Sequence, residues 1–373
     1  MINPTGIKLW GTATNMATSP VPECPRQDAD FQKPFNFIKQ DGCVLDNNTG
    51  LTWEVKTPQN MEDAFFYADT EKYAAQVNTA KLGGYADWRL PTIKELEGIS
   101  DFSQMGPAID SNYFPNTSTK FFWTSTPSAV ASDYAWVVSG YTGQAMFLAK
   151  DRPNMVVRLV RGTSSVYAFD ITTVPGTAID TSTNLMWQRF YVGQTWDGNT
   201  CNGIRLACDW QSALQQSVST IFTGFTDWRV PNIKELRSLV DERYCYPNAS
   251  INAAVFPGVS VEDIVWSSTP STQGAGWSWV VGFNYGAEGT GMSRDGRICV
   301  RLVRDVAPPV PVRDYTEEEV RGWARSVYID LSLVSPSTIE QWTHGSMGGP
   351  KAFYPAVKQV INDLCNQLSA GLP

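Results

Sequence analysis

Apolar residues return at helical spacing in two places along this chain, each time behind the same kind of polar lead. Ile93, Leu96 and Ile99 follow Thr92, and Ile233, Leu236 and Leu239 follow Asn232. In both places a Glu stands three positions after the lead residue, Glu95 and Glu235, the spacing of a capping box that opens a helix. The surrounding ten residues, Asp87-Trp-Arg-Leu-Pro-Thr-Ile-Lys-Glu-Leu96 and Asp227-Trp-Arg-Val-Pro-Asn-Ile-Lys-Glu-Leu236, share eight identities across an offset of 227 − 87 = 140 positions. The chain is therefore a tandem duplication.

The rest of each copy follows the same order. Val44–Trp53 reads as two short strands around an Asn/Gly turn, and its counterpart is Ala178–Trp187. Helices are predicted from Met61 to about Lys81 and from Asp209 to about Ser219. The late strands Tyr134–Gly140 and Gly276–Phe283 align through Trp136 and Trp279, which read as core residues. Each copy ends on Val-Arg-Leu-Val-Arg, at 157–161 and 300–304. Three residues apart on a strand, Arg158 and Arg161 face opposite ways, as do Arg301 and Arg304. One arginine of each pair is expected to hold Asp87, Asp227 or a helix Glu. Extra residues of the second copy, around Cys201–Cys208 and Tyr244–Pro247, are expected in loops.

This order predicts an α+β architecture of two tandem domains, 37–163 and 164–307. An extended N-terminal arm, 1–36, rich in Pro, Thr and Asn, precedes them. A Pro-rich spacer and a small helical segment, 308–373, follow, and that segment could dock an assembly partner.

Composition narrows the functional classes. A net charge of −8 argues against a nucleic-acid partner. No apolar run is long enough to span a bilayer, and Met1–Ser19 lacks the pattern of a signal peptide. Seven cysteines allow three short-range pairings, Cys24–Cys43, Cys201–Cys208 and Cys245–Cys299, with Cys365 left over. Disulfides in an exported protein are the expectation, and buried free thiols are the alternative. One histidine and the absence of paired CxxC knuckles speak against a zinc site, so no metal ligand is assigned. Asp87, Arg89, Asp227 and Arg229 are read as structural ion pairs locking the turn before each capped helix.

The Thr-Gly-Leu-Thr-Trp opening at 49–53, the central Asp-Trp-Arg motif, the Phe-Trp-Thr-Ser-Thr step at 122–126 and the Val-Arg-Leu-Val-Arg ending resemble the DUF1566 family. That family is also called the Lcl C-terminal domain family, after a collagen-like adhesin. The resemblance covers about residues 40–162 and 175–305. It implies a C-type-lectin-like fold and an exported binding or adhesion module, located at the cell surface, outside the cell or in the periplasm. The Glu-Pro-Asn, Gln-Pro-Asp and Trp-Asn-Asp signatures of calcium-dependent sugar binding are absent, so no cofactor is expected, although a loop Ca²⁺ site built from carbonyls stays open.

The expected function is thus non-enzymatic recognition of a protein or glycan ligand on a surface, through loops between the late strands, by a protein at a cell surface, on a secreted appendage or at a viral tip. In the second copy these carry Trp277, Asn284, Tyr285, Arg294, Asp295 and Arg297, and in the first Tyr141, Lys150 and Arg152. The loops diverge while the scaffolds match, so the second copy is expected to hold the recognition surface and the first to act as a spacer. Two alternatives are a formylglycine-generating-type oxidase using Cys245 and Cys299, and a structural subunit of an envelope assembly.

Overall fold

The computed structural model describes residues 2–31, 34–163 and 168–306, so the expected helical tail and Cys365 lie outside the described residues. The described residues up to Asp305 form one compact unit. Both repeats and the N-terminal residues thus belong to a single body.

Each repeat opens with a hairpin whose second strand is also held by the repeat's own last strand. In the first, Leu51–Glu54 pairs with Cys43–Asp46 on one side and with Val160–Arg161 on the other. In the second, Leu185–Gln188 lies between Thr177–Asp180 and Val303–Asp305. All residues of both central strands are buried. A second sheet in each repeat contains the Trp-rich strands: Phe121–Pro127, Tyr134–Ser139 and Ala145–Ala149, then Ile264–Pro270, Trp277–Gly282 and Glu288–Ser293. Trp136 and Trp279 are buried in the core, as their alignment predicts.

Four α-helices complete the described residues: α1 (Thr70–Ala80), α2 (Ile93–Gly98), α3 (Trp210–Ser219) and α4 (Ile233–Ser238). The fold is therefore mostly sheet, with helices shorter than an α+β reading implies. Helix α1 starts nine residues later than the predicted Met61 (70 − 61 = 9). Phe65 is the reason: it pairs with Met155 as a β-bridge, and Phe66 stays extended. Both capping boxes are formed, with Thr92 and Asn232 accepting from the backbone N–H of Glu95 and Glu235. At six residues, α2 and α4 are too short to persist alone and depend on burial of Ile93, Leu96, Ile233 and Leu236.

Two expectations are revised. The residues before 37 are not an extended arm. They form a hairpin, Trp10–Gly11 with Met16–Ala17, and a 3₁₀ turn, Asp28–Phe31. Asn3, Thr5, Ile7, Gln27 and Asp28 are buried there: Asn3 donates to Asp46 of the first repeat, Asp28 accepts from Thr269 of the second, and Gln27 bonds Gly11 and Cys24 within the segment itself. The insertion near Cys201–Cys208 is not only loop. Thr195–Trp196 pairs with Cys201–Asn202, and Ala207–Cys208 extends the second sheet to five strands.

Candidate functional site

The charged residues of the repeated motif are consumed by the scaffold. Arg89 makes a two-pronged bond to Glu95, at 2.9 and 2.7 Å, and Arg229 does the same to Glu235, at 2.6 and 2.8 Å. Asp87 binds Arg161 and Asp227 binds Arg304, each at 2.7 Å. The four motif residues are thus in ion pairs, though not with each other across the tryptophan. Hydrogen bonding from Arg161 holds the Asp87 carboxyl below its ordinary range. Arg158 and Arg301 face the other way, buried against Phe114 and Phe256 and donating to the carbonyls of Glu54 and Gln188.

Between these arms of the motif stands a lysine, Lys94 or Lys234, and here the two repeats meet. Lys94 Nζ donates to the carbonyls of Ser238 (3.1 Å), the last residue of α4, and Val240 (2.6 Å), just past it. Lys234 Nζ donates to the carbonyls of Gly98 (2.8 Å), the last residue of α2, and Ser100 (2.7 Å), just past it. Those positions correspond under the same 140-residue offset (98 + 140 = 238, 100 + 140 = 240), so the exchange is two-fold symmetric in kind. Each lysine supplies a cation where a helix presents its unpaired carbonyls. Glu97 and Arg237 also correspond (97 + 140 = 237) and face each other at 3.4 Å. Sequence reading missed this interface; its signal was a lysine kept at one position of both copies, beside a charge reversed three residues on.

A cavity of about 760 Å³ opens beside that interface. Asp46, Trp53, Lys94 and Glu97 of the first repeat line it, with Thr183, Arg237, Asp241 and Glu242 of the second. Arg237 lies 3.4 Å from Glu242, and Lys94 lies 3.6 Å from the other oxygen of Glu242. Asp46 is already saturated by Asn3, Thr49 and the N–H of Asn48.

The loop residues singled out from the sequence do not form one surface. Trp277 starts its strand opposite Ser293, whereas Asn284 and Tyr285 follow the other end, about 20 Å away at ~3.3 Å per residue. Trp277, Asn284, Tyr285, Asp295 and Arg297 are exposed. Arg294 is not: it is buried over the Trp210 ring and donates to the carbonyls of Thr12 and Asn15, so it anchors the N-terminal hairpin. In the first repeat Tyr141 is exposed beside Gly106, and Arg152 is exposed at the opposite end of the hairpin. Lys150 donates to the carbonyl of Ser132 and sits over the Tyr67 ring. Tyr285 contacts Phe147 of the first repeat, so it belongs to the contact between repeats.

The expected disulfides are absent. Cys24, Cys43, Cys201, Cys208, Cys245 and Cys299 are free thiols. Cys208 pairs with Ile298 and Cys299 with Ala207, so these two neighbours point to opposite faces of the sheet. Cys201 donates to the carbonyl of Pro257, and Cys245 to that of Ala129 in the first repeat. Burial pushes Cys24 and Cys208 up to about 11 and raises Cys43 and Cys299 as well.

One further cluster of shifted groups lies in the first repeat's interior. Lys56 donates to Glu54 at 2.9 Å and to Tyr73 at 2.7 Å, and Tyr73 donates to the same carboxylate. Burial lowers Lys56 and raises Tyr73. The three groups satisfy one another and do not line the inter-repeat cavity. Among the described residues, no cluster of His, Cys, Asp and Glu could hold a metal ion, and no helix is long and apolar enough to cross a membrane.

Comparison with known families finds the Lcl C-terminal domain model at residues 42–161 and again at 176–304. No curated protein matches the chain.

Proposed function

The chain belongs to the Lcl C-terminal domain family, with two copies of its domain in tandem, and from that premise we propose that it is a non-enzymatic ligand-binding or adhesion protein. The ligand is a protein or glycan displayed on a surface, and the protein works outside the cytoplasm. Closure of each repeat by its own last strand supports reading each as C-type-lectin-like.

The observation that carries this reading is Trp277. The residue is 47% exposed on a sheet strand, and two glycines support its ring. A Cβ at Gly274 would come within 3.2 Å of the indole, and one at Gly291 within 2.6 Å. An exposed indole held by close backbone contact offers a large contact area with little rotamer entropy to lose. Asp295 and Arg297 are exposed in the turn that follows its partner strand. The oxidase alternative is weaker, because burial raises Cys299 and disfavours the thiolate that such chemistry needs.

The test is a binding screen of the full chain against glycans and bacterial or host surface proteins. Trp277→Ala is expected to weaken the strongest interaction at least tenfold with unchanged thermal stability. Equal binding by wild type and variant would contradict the proposal, as would turnover lost on Cys299→Ser.

A further inference from the structure

We propose that the cavity between the repeats is a second binding site, one that takes a neutral polyhydroxylated small molecule such as a mono- or disaccharide. It is separate from the Trp277 surface and does not depend on it.

Buried polar atoms that make no hydrogen bond belong to residues lining this one space. Both carboxylate oxygens of Glu97 are buried and receive no hydrogen bond, and neither does Oε1 of Glu242. The Thr183 hydroxyl and the Trp53 indole N–H are buried in the same condition. All four residues line the cavity. A buried polar atom left without a partner is costly, so such a set in one cavity calls for a ligand that both donates and accepts. Hydroxyl groups do both: they donate to Glu97 and Glu242 and accept from Thr183 and Trp53.

Charge selects among polar ligands. Glu97, Arg237, Glu242 and Lys94 alternate in sign, with separations of 3.4, 3.4 and 3.6 Å. These exceed the ~2.7–2.9 Å of a charge-assisted hydrogen bond, so the carboxylates keep acceptor capacity while their charges are balanced. The other lining charges are engaged: Asp241 with Arg243 at 2.6 Å, and Lys234 with three carbonyls. A charged ligand would add an uncompensated charge to a balanced, mostly buried group, whereas a neutral polyol would not. A volume of about 760 Å³ suits a small ligand and excludes a folded partner.

The experiment is isothermal titration calorimetry of the full chain with D-glucose, D-galactose, D-mannose and maltose, alongside cationic D-glucosamine and anionic D-glucuronate. At least one neutral sugar is expected to bind with a Kd of about 1 mM or tighter, and to bind better than either charged sugar. Glu97→Gln is expected to weaken it at least tenfold. Ala129→Trp, a change at an exposed lining position, is expected to abolish binding even if the Glu97 variant fails to fold. Trp277→Ala should leave it unchanged. Absence of binding by every neutral sugar, tighter binding of a charged one, or full affinity in a folded Ala129→Trp protein would overturn the assignment.

Discussion

Lys234 shows how single residues hold this protein together. Its ammonium meets three carbonyls, of Pro4, Gly98 and Ser100, at 2.6–2.8 Å, with the Phe35 and Phe102 rings alongside. Three acceptors match the three N–H bonds of the charged form. Burial opposes that form and pushes Lys234 down to about 7. Asp28 is the acidic counterpart, buried and accepting from the hydroxyls of Thr5 and Thr269, both at 2.7 Å. Burial raises it to about 6, outweighing those two hydrogen bonds. Since the folded value lies above the unfolded one, the native state holds the extra proton between about pH 4 and pH 6. Its contribution is therefore complete below about pH 4 and lost as pH rises through about 6. Wild type is expected to lose on the order of 2–3 kcal/mol relative to Asp28→Asn across that window. Urea unfolding of both proteins at several pH values checks this, and parallel pH profiles would count against it. Neither residue stood out in the sequence: Asp28 lies in a segment without periodicity, and a lysine in a helix ordinarily reads as solvated.

At the level of elements, the capped helices were the most legible part of the chain. Thr92 with Glu95, and Asn232 with Glu235, state their caps locally, and the apolar residues behind them state the buried face. What surrounds each cap was not legible, because it comes from distant segments. Arg89 keeps a side chain 36% exposed, whereas Arg229 is 4% exposed, with the Phe31 ring over it and Asp305 at 3.5 Å. One motif therefore gives two energies. Glu235→Gln leaves a guanidinium buried with a weakened partner and is expected to destabilise by about 3 kcal/mol or more. Glu95→Gln, whose arginine can turn to water, is expected to stay near 1 kcal/mol. Equal losses in chemical denaturation would refute this difference. The helix expected from Met61 fails for the same kind of reason, since the bridge between Phe65 and Met155 joins residues 90 positions apart (155 − 65 = 90).

Across the whole molecule, the duplication explains more than the copies do separately. Sequence alone suggested one recognition domain on a spacer. In the structure Phe102 of the first repeat stacks edge-on against Trp279 of the second, at 5.0 Å, and the N-terminal residues bind both. The reciprocal lysines join the helix ends, and Glu97 opposite Arg237 favours unlike over like pairing of the repeats. The candidate loops were legible as exposed aromatics, but their division between opposite strand ends and the burial of Arg294 follow only from the folded chain. The cavity is a product of the pairing, which no local pattern encodes. If the repeats form one cooperative body, damage on one side of the lysine exchange must be felt on the other. Hydrogen exchange of the full chain with Lys234→Met, read by mass spectrometry over residues 88–102 and 228–242, measures this most directly. Comparable loss of protection in both segments is the expected result, and loss confined to residues 228–242 would contradict it.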